Sequence, residues 1–196
     1  FIFFTIYDII QIYRNFFERG LFMDKIILVK PDLSYADEII KYKEESLAES
    51  PIINGSAGLD RLSSIEIWFE ELKKRSCEDT VPKGLVPSST YLGVREKDNY
   101  IVGMIDIRHY LNEYLTQVGG HIGYGVRKTE RNKGYAKQML KLALEKCKEL
   151  KIKKVLITCD EDNIASEKVI LSANAKLEDI RNVDGENKKR FWIDLQ

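Results

Sequence analysis

The stretch that most limits what this chain can fold into runs from Gly119 to Leu150. Residues Gly120 to Val126 read as a short strand. From Gly134 onward, Ala136, Met139, Leu140, Ala143, Leu144, Cys147 and Leu150 recur on one face of a helix. A helix with a single apolar stripe has to lay that stripe on another layer, so a strand-loop-helix unit packed on a sheet is expected. The connection, Arg127 to Lys133, is basic and ends at Gly134. A helix N-terminus offers unpaired N–H groups and the positive end of the helix dipole, and a glycine there lets a phosphate approach the backbone. Arg127, Arg131 and Lys133 would add charge-assisted contacts; the bland alternative is an ordinary solvated loop. No Gly-Lys-Ser/Thr is present and the glycine spacing fails the dinucleotide fingerprint, so neither of those nucleotide loops applies.

Around this unit the remaining elements fall into order. Lys25 to Val29 is a β-branched run stopped by Pro31, and Ser34 opens a helical pattern through Ile39, Ile40 and Leu47. After the loop Ser50 to Gly58, a second helix follows from Leu62, Ile65, Trp68, Phe69 and Leu72. Ser76 to Ser88 is a loop, either a substrate lid or a plain connection. Thr90 to Arg95 and Tyr100 to Arg108 form a hairpin. Lys154 to Thr158 reads as a strand buried on both faces of a mixed sheet. A short helix Ile164 to Ala173 and strands near Lys176 to Asn182 and Arg190 to Asp194 complete an α/β domain. Trp68, Tyr91 and Trp192 are assigned to the core.

Composition removes several classes of function. Lysine plus arginine equals aspartate plus glutamate at 31 each, so no global field draws nucleic acid or an anionic membrane. Three scattered cysteines fit a reducing cytoplasm without disulfides, and two histidines lacking a spaced carboxylate give no metal site. Residues 1–22 are rich in Phe and Ile, but Asp8, Arg14, Glu18 and Arg19 interrupt them before a bilayer-spanning length. An interfacial amphipathic helix is one reading of that segment. The preferred one is a mis-assigned or non-native extension: Glu18-Arg19-Gly20 is compatible with a translated purine-rich ribosome-binding site just before Met23. The domain is then expected over residues 23–196, with the preceding segment set aside.

Arg131-Asn132-Lys133-Gly134-Tyr135-Ala136 resembles the Arg/Gln-x-x-Gly-x-Gly/Ala signature of the GNAT superfamily of N-acetyltransferases, and the element order after Met23 resembles that family's plan. The run Gly119 to Tyr124, Gly-Gly-His-Ile-Gly-Tyr, is most similar to bacterial predicted acetyltransferases. The resemblance implies a mixed, mostly antiparallel central sheet flanked by helices on both faces. It also implies acetyl-coenzyme A as cosubstrate, a small-molecule or peptide amine as acceptor, and a cytoplasmic monomer or homodimer. By the same resemblance the amides of Arg131, Asn132, Lys133, Gly134, Tyr135 and Ala136 would hold the pyrophosphate. The strand edge Tyr124, Gly125 and Val126 would pair with the pantetheine arm, the Val126 amide would face the thioester oxygen, and Asn163 would bond the pantetheine. Asn163 suits a helix cap equally well.

Two departures bear on catalysis. Many family members place a tyrosine, as acid for the departing thiolate, where this chain has Ile170, and the usual glycine after that helix is Asn174. Tyr124 or Tyr135 is a substitute acid. A thiol of pKa about 8.5 also leaves tolerably without one. For the base, His121, His109 and Glu113 are the candidates, with structural roles for both histidines as the alternative. His121 is one residue out of phase with the family's usual base position. The leading expectation is direct amine attack in a ternary complex, and the alternative is a non-catalytic acyl-coenzyme A sensor.

Overall fold

The computed structural model describes residues 24–195, so the expectation for residues 1–22 lies outside the described residues. In chain order the elements are β1 (Ile26–Val29), α1 (Ala36–Leu47), α2 (Ile65–Arg75), β2 (Ser88–Arg95), β3 (Tyr100–Arg108), β4 (Ile122–Val126), α3 (Tyr135–Glu149), β5 (Lys154–Asp160), α4 (Ile164–Leu171), β6 (Lys176–Val183) and β7 (Glu186–Asp194). Short helical turns at Leu33–Tyr35, Leu59–Arg61, Leu115–Gly119 and Lys128–Glu130 fill the connections.

Helices flank the sheet on both faces, as expected. On one face α1 and α2 bury Ile39, Tyr42 and Trp68 against Leu92, Val94, Ile101 and Met104. On the other, α3 and α4 bury Met139, Leu140, Ala143, Cys147 and Ile170 against Ile105, Ile107, Val155, Ile157 and Phe191. The stripe read from the sequence is therefore the buried side of α3. Its seat is cut by two glycines. A Cβ on Gly93 would stand 2.5 Å from the Met139 sulfur, and one on Gly103 would stand 3.0 Å from the Met139 methyl group. The thioether fills the slot these missing side chains leave, which fixes α3 along β2 and β3.

The chain departs from the expected single mixed sheet at one place. β1-β2-β3-β4 form one sheet and β5-β7-β6 another, with every registered pairing antiparallel. The apolar run Val155 to Ile157 reports burial, and burial alone does not say whether a strand has a partner on each edge. Smaller shifts are local. The helix expected from Ser34 starts as a turn whose Asp32 carboxylate accepts the Ser34 N–H at 2.8 Å. The helix expected to Ala173 stops at Leu171, and Asn174 then takes φ 59°. Asp184 and Gly185, at φ 52° and 87°, make the two-residue turn joining β6 to β7.

Candidate functional site

The split between the sheets leaves the outer edge of β4 open. Arg108 N–H donates to the His121 carbonyl and Arg127 N–H to the Val102 carbonyl, both at 2.8 Å, and the register pairs Met104 with Gly125 and Ile105 with Tyr124. Antiparallel hydrogen bonding alternates along a strand, so Gly123, Gly125 and Arg127 bond toward β3 while Tyr124 and Val126 turn their amides outward. That outer edge faces β5, yet no ladder joins Ile122–Val126 to it. The two strands are tied at one end only. His121 N–H donates to the Leu156 carbonyl at 2.7 Å, and Leu156 N–H donates back to His121 Nδ1 at 3.0 Å.

Past the other end of β4 lies the basic loop. Asn132 and Gly134 have φ 62° and 83°, which turn successive backbone groups toward α3. Gly134 is the N-cap of α3 and no side chain caps the helix. Among the described residues the amides of Asn132 through Lys137 meet no acceptor, whereas the Arg131 amide is engaged by the Lys128 carbonyl at 3.4 Å. A run of unpartnered donors at the positive end of a helix is a site for an anion.

The loop's cations are placed differently from the expectation. Arg127 points inward. Its side chain is 1% exposed, donates from Nη1 to Glu38 at 2.9 Å, and stands over the Tyr100 ring at 4.3 Å. It is a structural cation, because an i-to-i+2 alternation carried past Val126 turns it into the α1 layer. Arg131 grips Glu49 of the α1 terminus with both terminal nitrogens, at 2.6 and 2.7 Å, which holds the Glu49 carboxyl below its usual range. Lys133 pairs with Glu130 at 3.1 Å. No signal near Arg127 or Arg131 names partners so distant in sequence.

The catalytic candidates are dispersed. The neutral His121 ring spends Nδ1 on Leu156 N–H, so its proton sits on Nε2 and no acceptor nitrogen is left for an incoming amine. Burial, then Arg108, holds its pKa down at about 4. His109 Nε2 lies 3.0 Å from Ser89 Oγ on β2, across β3 from β4, and burial followed by Lys30 lowers its pKa. Glu113 is exposed ahead of the Leu115–Gly119 turn. Tyr124 lies at the gap. Its hydroxyl is 2.9 Å from Ser166 Oγ of α4, and burial pushes its pKa up to about 12, so it holds its proton. The Tyr135 hydroxyl instead donates to Asp24 at 3.1 Å. Asn163 caps α4 through Oδ1, accepting the Ser166 N–H at 3.0 Å, and its Nδ2 has no partner among the described residues. Ile170 is fully buried in the core. Cys147 and Cys159 are buried with their pKa values pushed up to about 12 and about 11, which makes both poor nucleophiles. Trp192 is half-buried, edge-on to the His121 ring at 6.5 Å.

Of the two loops expected to shape an acceptor site, Ser50 to Gly58 lies on β4. Gly55, at φ 76°, lets the loop touch the strand: a Cβ there would stand 2.6 Å from Tyr124 Cα and 2.7 Å from the Gly123 carbonyl oxygen. Gly55→Ala should therefore lift the loop and destabilise the fold by about 1–3 kcal/mol, read as a lower urea midpoint. An unchanged midpoint would show that the contact is not tight. A cavity of about 200 Å³ beside this loop is lined by Tyr42, Glu49, Asn54, Val126 and Arg131. The segment Ser76 to Ser88 ties instead to the chain after β3, through Pro87 to His109 N–H and Gly84 to Asn112. A larger cavity, about 760 Å³, lies between the β1–α1 turn, α2 and β2, and no residue of β4 or of the basic loop lines it.

Solved structures share this architecture. The microcin C7 self immunity acetyltransferase MccE, in complex with acetyl-CoA and AMP, aligns with TM-score 0.63 and 15% identity over 87% of this chain and 93% of its own. RimL, a ribosomal L7/L12 alpha-N-protein acetyltransferase in complex with coenzyme A, aligns at 0.61 and 16% over 87% and 98%. An acetyl transferase from Salmonella typhimurium that modifies the N-terminal serine of ribosomal protein L7/L12 aligns at 0.59 and 17% over 86% and 94%. At these identities the likeness is one of fold. No curated protein matches the sequence. Residues 26–176 match the family model of the acetyltransferase (GNAT) domain, a span that takes in the open β4 edge, the cradle of free amides and α4, and the chain belongs to that family of acetyltransferases.

Proposed function

We propose that this protein transfers the acetyl group of acetyl-coenzyme A to a primary amine by direct attack in a ternary complex. The observation that carries the reading is the unbroken run of unpartnered amides from Asn132 to Lys137, continuous with the open edge of β4. Neighbours of the same fold in complex with acetyl-CoA or coenzyme A support it. The amides of Asn132, Lys133, Gly134, Tyr135 and Ala136 take the pyrophosphate, with Arg131 bracing the loop against α1. Tyr124 and Val126 offer outward backbone groups to the pantetheine amides. Gly125 contributes by lacking a side chain: a Cβ there would meet the Asn54 carbonyl at 2.8 Å. Asn163, with Oδ1 held by its cap, donates from Nδ2.

In this arrangement the Val126 N–H faces the thioester oxygen and stabilises the negative charge that develops there, a contribution of about 3 kcal/mol. Tyr124, protonated at neutral pH, is the donor nearest the departing sulfur. An acceptor amine of pKa about 10.4 arrives protonated, so a proton must leave before attack. His121 has no free acceptor and His109 sits over β2, which leaves Glu113 or a water chain. The acceptor is a small-molecule or peptide amine reaching the open edge of β4 beside the Ser50 to Gly58 loop.

Thiol release from acetyl-coenzyme A, followed with the full chain across a panel of small amines and amino-terminal peptides, tests the reading. Amine-dependent release is expected. Tight binding without release for any amine would favour the sensor alternative, for which Ile170 packed in the core is the structural argument.

A further inference from the structure

We propose that His121 is a positioning residue that fixes the apex of the cofactor gap, its imidazole supplying the second acceptor that lets one residue bind two strands that then diverge. The inference rests on the gap between β4 and β5 being the acetyl-coenzyme A site. The backbone carbonyl of His121 is committed to β3, accepting Arg108 N–H at 2.8 Å. Its N–H points the other way, to the Leu156 carbonyl at 2.7 Å. A residue with no further acceptor would leave Leu156 N–H buried and unpaired, because the one carbonyl it has is already used. Nδ1 fills that role at 3.0 Å and closes a two-point clasp between His121 and Leu156.

Three neighbouring features serve the same junction. Gly120, at φ 61°, brings the backbone against β5 so closely that a Cβ would stand 2.6 Å from the Leu156 oxygen. Thr158 Oγ1 donates to the Val118 carbonyl. Arg108 Nη1 holds the Gly119 carbonyl at 3.2 Å from the β3 side. Beyond this grip no hydrogen bond ties Ile122–Val126 to β5, so the width of the gap at Tyr124 and Val126 is set by a hinge whose pin is the ring. The charged group facing the ring is Arg108, itself 3.4 Å from Asp106, and Trp192 meets the ring edge-on from β7. Arg108 and Trp192 carry donors only, and the Asp106 carboxylate is engaged by Thr90 and Arg108, so Nδ1 is the acceptor for Leu156.

The role separates from that of a base by experiment. His121→Leu removes the acceptor at similar volume, and His121→Asn restores an acceptor oxygen near the Nδ1 position. Exchange of the Leu156 amide, measured by NMR in the full chain, should rise about 10- to 100-fold in His121→Leu and return toward the wild-type rate in His121→Asn. KM for acetyl-coenzyme A should rise about 10-fold in His121→Leu with kcat changed less than about 3-fold, and His121→Asn should rescue it. A fall in kcat at constant KM that His121→Asn does not rescue would overturn the proposal in favour of a base. So would equal Leu156 exchange in all three proteins. If His121→Leu does not fold, the comparison of wild type with His121→Asn still decides. A neutral ring is required, so wild type should lose stability relative to His121→Asn as pH falls from about 6.5 toward about 4, and parallel pH profiles would overturn the clasp. Failure of wild type to bind acetyl-coenzyme A, with Leu156 still protected through His121, would sink the cofactor reading and the positioning role with it, leaving a structural clasp alone.

Discussion

Replacing Gly134 with aspartate should weaken acetyl-coenzyme A binding by about 100-fold or more while costing the fold no more than about 1–2 kcal/mol for the left-handed backbone. Gly134 is the N-cap of α3 at φ 83°, and no side chain now caps that helix. Aspartate tolerates left-handed backbone better than most residues and is among the preferred N-caps, so its carboxylate would itself satisfy the free amides and complement the dipole. The features that make it a good cap make it a competitor for the pyrophosphate, with charge repulsion added. Calorimetric titration of the full chain reads the binding, and a thermal melt reads the stability. Gly134→Asn is the paired control, because it caps without the charge and should lose less affinity. Unchanged binding in Gly134→Asp would place the phosphates elsewhere, whereas loss of binding together with a large fall in Tm would reveal only a damaged helix.

Arg127→Ala should cost about 2–4 kcal/mol of stability, chiefly by emptying the buried space the guanidinium fills against two rings and by removing the partner of two partly exposed carboxylates. The guanidinium is 1% exposed, bonded to Glu38 at 2.9 Å and within 3.1 Å of the Glu45 carboxylate. Nη2 and Nε make no aligned hydrogen bond and depend on the rings of Tyr100 and Tyr42, at 4.3 and 5.4 Å. Alanine would leave Glu38 without its partner and a void between two aromatic rings at the base of the phosphate loop. Urea unfolding gives the loss directly. Arg127→Met, which refills the volume but not the charge, should recover part of it. A phosphate-binding arginine would behave in the opposite way: stability would change by less than about 1 kcal/mol and acetyl-coenzyme A affinity would fall. The two substitutions therefore distinguish a cation that builds the loop from a glycine that exposes it.

That contrast marks where the sequence stops being readable. Arg127, Arg131 and Lys133 stand together in a basic loop, and their common sign invites a common role. Yet Arg127 turns inward to Glu38, Arg131 outward to Glu49, and Lys133 back to Glu130. The partners of Arg127 and Arg131 lie 89 and 82 residues away along the chain. His121 shows the same limit. Its type and its place before β4 are plain in the sequence, and they fit a base, a core residue or a clasp equally well. What favours the clasp is the position of Leu156 N–H, 35 residues further along the chain.

The sequence by itself determined the local pieces: the apolar stripe of α3, the hairpin of β2 and β3, and a glycine where the helix begins. Each is encoded by periodicity or backbone torsion within a few residues, so it survives any choice of tertiary partner. The sequence also carried the match to the family, since the signature loop is one contiguous run. Only the tertiary structure decided that the sheet parts between β4 and β5, that Gly55 presses on Tyr124, which carboxylates Arg127 and Arg131 take, and which histidine nitrogen is already engaged. These are pairings between distant segments, fixed by how the layers close on each other, and no short window of residues contains the information that selects them.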